Sequence, residues 1–297
     1  MGHKAGYVNI LGKPNAGKST LMNALLGERL SIVTAKAQTT RHRILGIYND
    51  ENHQVIFSDS PGIIEPAYKL QEKMMGQVQE SLTDADVFLL VLDSTDPDAF
   101  TKGGDTFLSI INQLQKTETP VVIALNKIDN LSQDEIQAFG KKIRSMFPKA
   151  EILAISALHQ FNTFELFQTI LNLLPEHPPY FDKDDLSDKN LRFFASEIIR
   201  EKIFENYSQE IPYSTHVVIQ SFKEEPTITR IQAEIWVERD SQKGILIGQQ
   251  GKSLKKTGTA ARLALEKFLN TKVFLELFVK VKKDWRADEE TLKRLGY

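Results

Sequence analysis

The sequence predicts an α/β fold: a domain with a mostly parallel sheet, followed by a smaller α+β domain. Three observations predict it. Unbroken apolar runs at 87–92, 121–125 and 152–155 have the composition of strands buried on both faces, which parallel sheets covered by helices contain. Helix-patterned segments at 70–83, 102–116, 132–146 and 162–173 alternate with those runs, as in doubly wound sheets. After Leu174-Pro175-Glu176-His177-Pro178-Pro179 the alternation stops, and a helix, two strands, two helices and a strand follow. The expected organisation is a first domain over 1–174, a linker over 175–190 and a second domain over 191–297.

Taken in order, Val8, Ile10 and Leu11 make a buried first strand, and 20–26 is a helix. A polar stretch, 29–42, contains Thr39-Thr40-Arg41. Strands at 44–48 and 55–57 are joined by the turn Asn49-Asp50-Glu51-Asn52, and the second ends in Asp59-Ser60-Pro61-Gly62. In the second domain a helix is expected over 191–207 and strands over 215–222 and 228–238. A short helix ends at Ile247, a long one covers 253–269, a strand covers 273–281 and a helical tail 288–295. There is no internal repeat.

Composition bounds the function classes. Of 297 residues, 41% are hydrophobic and 26% charged, enough apolar content for an ordinary core rather than disorder. With no cysteine there is no disulfide, thiolate metal site or cysteine nucleophile. No signal peptide is visible behind Met1, and no run approaches the ~20 apolar residues of a membrane span, so a cytoplasmic protein is expected. Net charge is −2 but unevenly spread: from Ser241 to Arg286 there are 11 basic and 3 acidic residues, which suits a polyanionic partner for the second domain.

The strand-loop-helix at the start carries the first motif, Gly12-Lys13-Pro14-Asn15-Ala16-Gly17-Lys18-Ser19 followed by Thr20, a G-x-x-x-x-G-K-S phosphate loop in the context that motif requires. Gly12 and Gly17 allow inward-facing N–H groups, which together with the following helix start suit a phosphate chain. Lys18 would reach the β- and γ-phosphates, and Ser19 offers a hydroxyl to Mg²⁺. Asp59, in Asp59-Ser60-Pro61-Gly62, can hold the Mg²⁺ site through water, and the Gly62 N–H can meet a γ-phosphate; alone this is also an ordinary strand-end turn. Asn126-Lys127-Ile128-Asp129 follows the 121–125 run, and a carboxylate at Asp129 can accept from guanine N1–H and N2–H₂, donors that adenine lacks. Asn126 would tie this loop to the phosphate loop, and the Lys127 stem would lie along the purine. Ser156-Ala157-Leu158 would point a backbone N–H at guanine O6. Four such motifs, each at a strand's C-terminal end, describe a guanine-nucleotide site.

The first ~170 residues therefore resemble a P-loop GTPase domain of the translation-factor class. With Lys36-Ala37-Gln38-Thr39-Thr40-Arg41-His42-Arg43 and the second domain, the whole chain resembles the Era family of bacterial GTPases. The resemblance implies that Thr40 is the Mg²⁺ ligand of a mobile switch segment and that a second switch begins at Gly62. Ile63 stands where Ras-like proteins place a water-orienting glutamine, so slow intrinsic hydrolysis is expected. Some similar GTPases hold K⁺ partly through the asparagine matching Asn15; a turn former after Pro14 is the equal alternative.

Gly248-Gln249-Gln250-Gly251 lies between helical segments, followed by Lys252, Lys255 and Lys256. That arrangement resembles a type II KH domain, whose GxxG loop clamps about four nucleotides of single-stranded RNA. For the family, the resemblance implies GTP and GDP, the 3′ end of small-subunit ribosomal RNA and the small ribosomal subunit as partners, assistance to subunit assembly, a monomer, and room for a peripheral inner-membrane contact. The alternatives are a signalling GTPase whose second domain docks protein, disfavoured by the intact GxxG with its lysines, and a small-metabolite kinase, disfavoured by the Asp129 motif. The histidines show no metal-ligand spacing. Phe193, Phe194, Phe204, Phe268, Phe274 and Phe278 are expected in the core, and Trp285 is either a core plug or an RNA contact.

Overall fold

Strand β1 (Lys4–Leu11) is buried along most of its length and runs straight into the phosphate loop, after which α1 (Lys18–Leu26) begins. The computed structural model describes residues 2–100 and 103–297. Met1 and Lys102, the first residue of the helix expected over 102–116, lie outside them. The chain continues through β2 (Ile44–Asn49), β3 (His53–Asp59), α2 (Lys69–Ser81), β4 (Val87–Asp93), α3 (Gly104–Lys116), β5 (Val121–Asn126), α4 (Gln133–Met146), β6 (Glu151–Ala154) and α5 (Thr163–Leu173). The sheet order is β2-β3-β1-β4-β5-β6. Among the described residues of this sheet only β2 runs antiparallel to its neighbour, because the tight turn after it returns the chain beside it, Ile44 facing Asp59. The other strands are parallel and end on one edge, so the loops after β1, β3, β5 and β6 meet there.

Helix starts follow local chemistry. Ser132 and Glu135 form a capping box at α4, two orphan donors satisfied reciprocally. One face of the sheet is packed by Leu90, Ile123, Phe107, Ile110 and Ile143, and Ile63 belongs to the same core.

The linker expectation is corrected. The chain divides between Asp188 and Lys189, and residues 175–188 are laid along the first unit. Ala5 N donates to Pro175 O at 3.2 Å, Ile47 N donates to Leu186 O at 2.9 Å, and Gly46 bridges Ser187. The buried Gln54 amide donates to Phe181 O and accepts from Tyr180 N. The reason is edge chemistry: β2 is the outer strand with open backbone groups, and the buried Gln54 amide needs partners. Proline and aspartate content alone reads as a free linker and shows neither need.

The second unit begins at once, with Asn190 capping α6 (Leu191–Asn206) through the Phe193 N–H. Next come α7 (Ile211–Ser214), a short proline-containing turn of helix that the sequence pattern did not reveal, β7 (His216–Glu225), β8 (Ile228–Val237), α8 (Asp240–Ile247), α9 (Lys252–Leu269), β9 (Lys272–Val281) and α10 (Glu289–Arg294). β7 pairs antiparallel and β9 parallel with β8. Ile199, Ile203, Ile231, Ile235, Leu246 and Leu265 form its core. Trp285 is fully buried and donates to Ser214 O at 3.0 Å, so it is a core plug. Phe194 and Phe204 are core, as expected, whereas Phe274 and Phe278 are exposed: they occupy the outward positions of β9, and strand alternation overrides their hydrophobicity.

Candidate functional site

The phosphate loop is built from backbone conformations that its glycines permit. Gly12 and Gly17 have φ of 148° and 97°, and Asn15 between them has φ 62°. A Cβ at Gly12 would strike the Val91 carbonyl and one at Gly17 the Asn126 amide, so both positions need glycine. Lys18 curls back over the loop and donates to Gly12 O at 3.1 Å and Lys13 O at 3.0 Å. Burial pushes its ammonium down to about 8, against the pull of Asp59.

Beside it, the Ser19 hydroxyl donates to Asp59 Oδ2 at 2.6 Å and lies 2.9 Å from Thr40 Oγ1. Asp59 is fully buried, and burial raises its carboxyl above the usual range, opposed by Ser19 and Lys18. Its second oxygen, Oδ1, has no hydrogen-bond partner among the described residues. A buried carboxylate with an open oxygen and two converging hydroxyls is a hard-oxygen donor set that suits Mg²⁺. No three carboxylates or imidazoles cluster among the described residues, so a cation here would draw its remaining ligands from water or phosphate oxygens.

The base side is organised by Asn126, which is 2% exposed. Its Nδ2 donates to Ala16 O at 2.8 Å, and its Oδ1 accepts from Ala157 N at 2.9 Å. One amide thus joins the phosphate loop, the end of β5 and the end of β6. Lys127 takes a left-handed conformation, φ 67°, with Nζ 2.6 Å from Asp93 Oδ2. The Ser156 hydroxyl holds the Asp129 carboxyl below its ordinary range.

A cleft of about 490 Å³ runs between these parts. Of the expected residues, Pro14, Asn15, Gly17, Lys18, Ser19, Thr20, Thr40, Gly62, Asn126, Lys127, Asp129, Ala157 and Leu158 line it. Gly12, Ala16, Asp59 and Ser156 support those that do. Others depart from expectation. The Lys13 side chain turns away, donating to Asp98 O at 2.8 Å. The Ser60 hydroxyl donates to Ile10 O, bracing the strand end beside Pro61. Ile63 is buried in the core and, not merely unable to orient water, does not line the cleft. Residues 32–36, Gln38, Thr39 and Asn130 also line the cleft, beyond the contacts expected from the motifs. Stretch 32–36 has no motif spacing, and only the path of the loop brings it there.

In the second unit, Gly248 and Gly251 have φ of 68° and 76°, and Gln250 between them has φ 51°. The turn leads into the start of α9, with Gln249, Gln250, Lys252, Lys255 and Lys256 exposed. Tyr207 Oη donates to Leu246 O at 2.8 Å beneath it, fixing the end of α8 from which the turn departs.

The chain is 42% identical over 294 residues to GTPase Era of Geotalea daltonii, covering 99% of this chain and 97% of that one. It belongs to the Era family of GTPases. GTPase Era of Syntrophus aciditrophicus is 44% identical over 99% of this chain and 95% of its own. A chloroplastic ERA-like GTPase of rice is 44% identical over 99% of this chain and 70% of its own. The family models that match are a 50S ribosome-binding GTPase over residues 7–127 and a KH domain over 210–286. Among solved structures, an Era protein in complex with MgGDPNP and nucleotides 1506–1542 of 16S ribosomal RNA superposes with a TM-score of 0.93, at 41% identity and 99% coverage of both chains. An Aquifex aeolicus Era variant bound to GDP and aluminium fluoride gives 0.91, at 40% identity and the same coverage. The fold expectation, a P-loop GTPase domain followed by a KH domain, thus holds for the Era family member described here.

Proposed function

We propose that this chain hydrolyses GTP in the first unit, 1–188, and binds single-stranded ribosomal RNA near the 3′ end of the small-subunit RNA through the second, 189–297, in support of 30S subunit assembly. The observation that carries the nucleotide part is the Asn126 amide, which joins phosphate loop and base loops into one cleft. Lys18 and the N–H groups of Lys13 and of residues 15–20 hold the phosphates; Asn126, Lys127, Asp129, Ser156, Ala157 and Leu158 hold the guanine; Asp59 to Ile63 supply the backbone that meets the γ-phosphate at Gly62. Ser19, Thr40 and Asp59 would hold Mg²⁺, which when bound neutralises charge on the phosphate oxygens. Ile63, the residue after Gly62, is buried in the core and offers no base, so catalysis is expected to rest on positioning and electrostatics and intrinsic turnover to be slow. The RNA part rests on the GxxG geometry with its lysines and on the RNA-bound relative. Cross-linking in cells followed by sequencing of the bound RNA tests it: enrichment elsewhere than at the small-subunit 3′ end would overturn it, and capture of protein alone would favour the signalling alternative.

A monovalent ion is the finer proposal. Asn15 Nδ2 donates to Ala35 O at 3.2 Å, and both residues line the cleft; the side-chain Oδ1 is the atom that would ligate K⁺. Exchanging K⁺ for Na⁺ is expected to lower turnover in the wild type and leave Asn15→Ala indifferent; a wild-type rate insensitive to the exchange removes the potassium role alone.

Nucleotide and RNA binding are expected to be coupled, with higher RNA affinity when a non-hydrolysable GTP analogue replaces GDP. Typical couplings span roughly 5- to 150-fold, and linkage requires RNA to tighten the analogue by the same factor. RNA titration of the full chain in both states, at one salt concentration, checks this; equal dissociation constants would mean independent modules. No helix among the described residues is long and apolar enough to cross a membrane. We place the protein in the cytoplasm as a monomer, with any membrane contact peripheral.

A further inference from the structure

Helix α2 buries Leu70, Met74 and Val78, an ordinary apolar stripe, and beside them Gln71, which is only 6% exposed. A buried primary amide is costly unless both its ends find partners. Gln71 finds them in two different segments. Its Oε1 accepts from Ala67 N at 2.7 Å, on the stretch that follows Gly62. Its Nε2 donates to Gln38 Oε1 at 3.1 Å, on the stretch that carries Thr39 and Thr40.

Gln38 is a strained anchor. It is held in the left-handed region, φ 58°, and lines the nucleotide cleft. Two residues on, Thr40 meets Ser19. On the far side of Thr40, the Arg43 N–H donates to Gln77 Oε1 at 2.8 Å, again on α2. Thr39 and Thr40 are therefore bracketed by two glutamine side chains of one helix, and the first of these also grips the segment after Gly62.

We propose that Gln71 is a positioning residue for hydrolysis: its amide clamps the two segments that sense the γ-phosphate to each other, holding Thr40 over Ser19. Of the pair, Gln38 lines the cleft and Gln71 does not. Its amide is satisfied only while both segments are in place, so it favours the closed arrangement by the differential that moving either segment would cost. This rests on the reading of the cleft as a GTP site.

The test compares GTP turnover and GDP affinity in the full-length wild type, Gln71→Met, Gln38→Asn and the double variant. Methionine keeps length and helix preference while removing both bonds. Asparagine tolerates the left-handed conformation but is too short to reach α2. Gln38→Asn, which removes one intramolecular hydrogen bond, is expected to lower turnover by about fivefold, and Gln71→Met, which removes two, by at least as much. GDP affinity is expected to stay within about twofold of wild type in Gln71→Met, whose side chain does not line the cleft. The double variant should be no slower than the slower single one, because both remove the same contact. Unchanged turnover in Gln71→Met, an equal fall in GDP affinity, or additive losses would overturn the clamp. Should Gln71→Met not fold, Gln38→Asn decides alone: unchanged turnover together with unchanged amide exchange at 38–40 would overturn the clamp. A wild-type protein without GTP turnover would instead count against the reading of the cleft; amide exchange at 38–40, faster in Gln71→Met if the clamp exists and unchanged if it does not, then decides the matter separately.

Discussion

Asp129→Asn is expected to lower GTP affinity by about 10²- to 10³-fold and to recover affinity for xanthosine triphosphate. Asp129 lines the cleft, and the Ser156 hydroxyl holds its carboxyl below the ordinary range. Ionised, it is an acceptor only, matched to the two donors of the guanine edge. Two charge-assisted hydrogen bonds at about 1.5–2 kcal/mol each give the stated loss. An amide presents one donor where guanine also presents one, so the mismatch is repulsive as well as unpaired. Xanthine carries a 2-oxo group that accepts from that amide. The Asn126 bridge to Ala16 and Ala157 does not pass through Asp129, so the cleft itself should survive. Titration with fluorescent GTP and competition with XTP and ATP measures this. Equal affinity of the wild-type protein for ATP and GTP, or an unchanged GTP dissociation constant in the variant, would sink the assignment.

Gln249→Glu combined with Gln250→Asp is expected to abolish RNA binding while GTP binding and turnover remain. Both side chains are exposed on a turn whose glycines leave the backbone open to phosphates. Aspartate suits position 250, where φ is 51° and only residues tolerant of the left-handed region fit without strain. Two carboxylates each about 5 Å from a phosphate, at an effective dielectric near 40, oppose binding by about 1.5 kcal/mol apiece, or some 10²-fold together. The neutral pair Gln249→Asn and Gln250→Asn controls for shape and should bind RNA nearly as wild type. Binding to a single-stranded RNA of the small-subunit 3′ sequence, at several salt concentrations, reads the effect. Undiminished affinity in the acidic variant would move the RNA site away from the GxxG turn.

These expectations began with residue types at spacings along the chain, and some of what they need is local. The glycine positions in 12–19 and 248–251 were legible because positive φ at a loop between strand and helix, or between two helices, is a local demand with few solutions. Asn126 was legible as a link for the same reason: motif order along alternating strands places those loops on one sheet edge. Strand alternation is equally local, and it places Phe274 and Phe278 on the outward positions of β9 against the pull of their hydrophobicity.

Other features were settled only by long-range packing. The segment 175–188 carries linker composition, but the open edge of β2 and the buried Gln54 amide, more than a hundred residues earlier, recruit its backbone. Lys13 sits inside a phosphate-loop motif and still points elsewhere, because Asp96 and the Asp98 carbonyl lie beside it in space. Ile63 marks a missing glutamine in sequence, and packing turns it into the core. Gln71 reads as an unremarkable helix residue until Gln38 and Ala67 are seen at its two ends. The chain by itself determined which backbone shapes and which chemical groups belong to the site. Tertiary structure decided which side chains face it, because a buried polar group is fixed by whatever partner the fold brings within hydrogen-bond reach, and that partner's distance in sequence leaves no local trace.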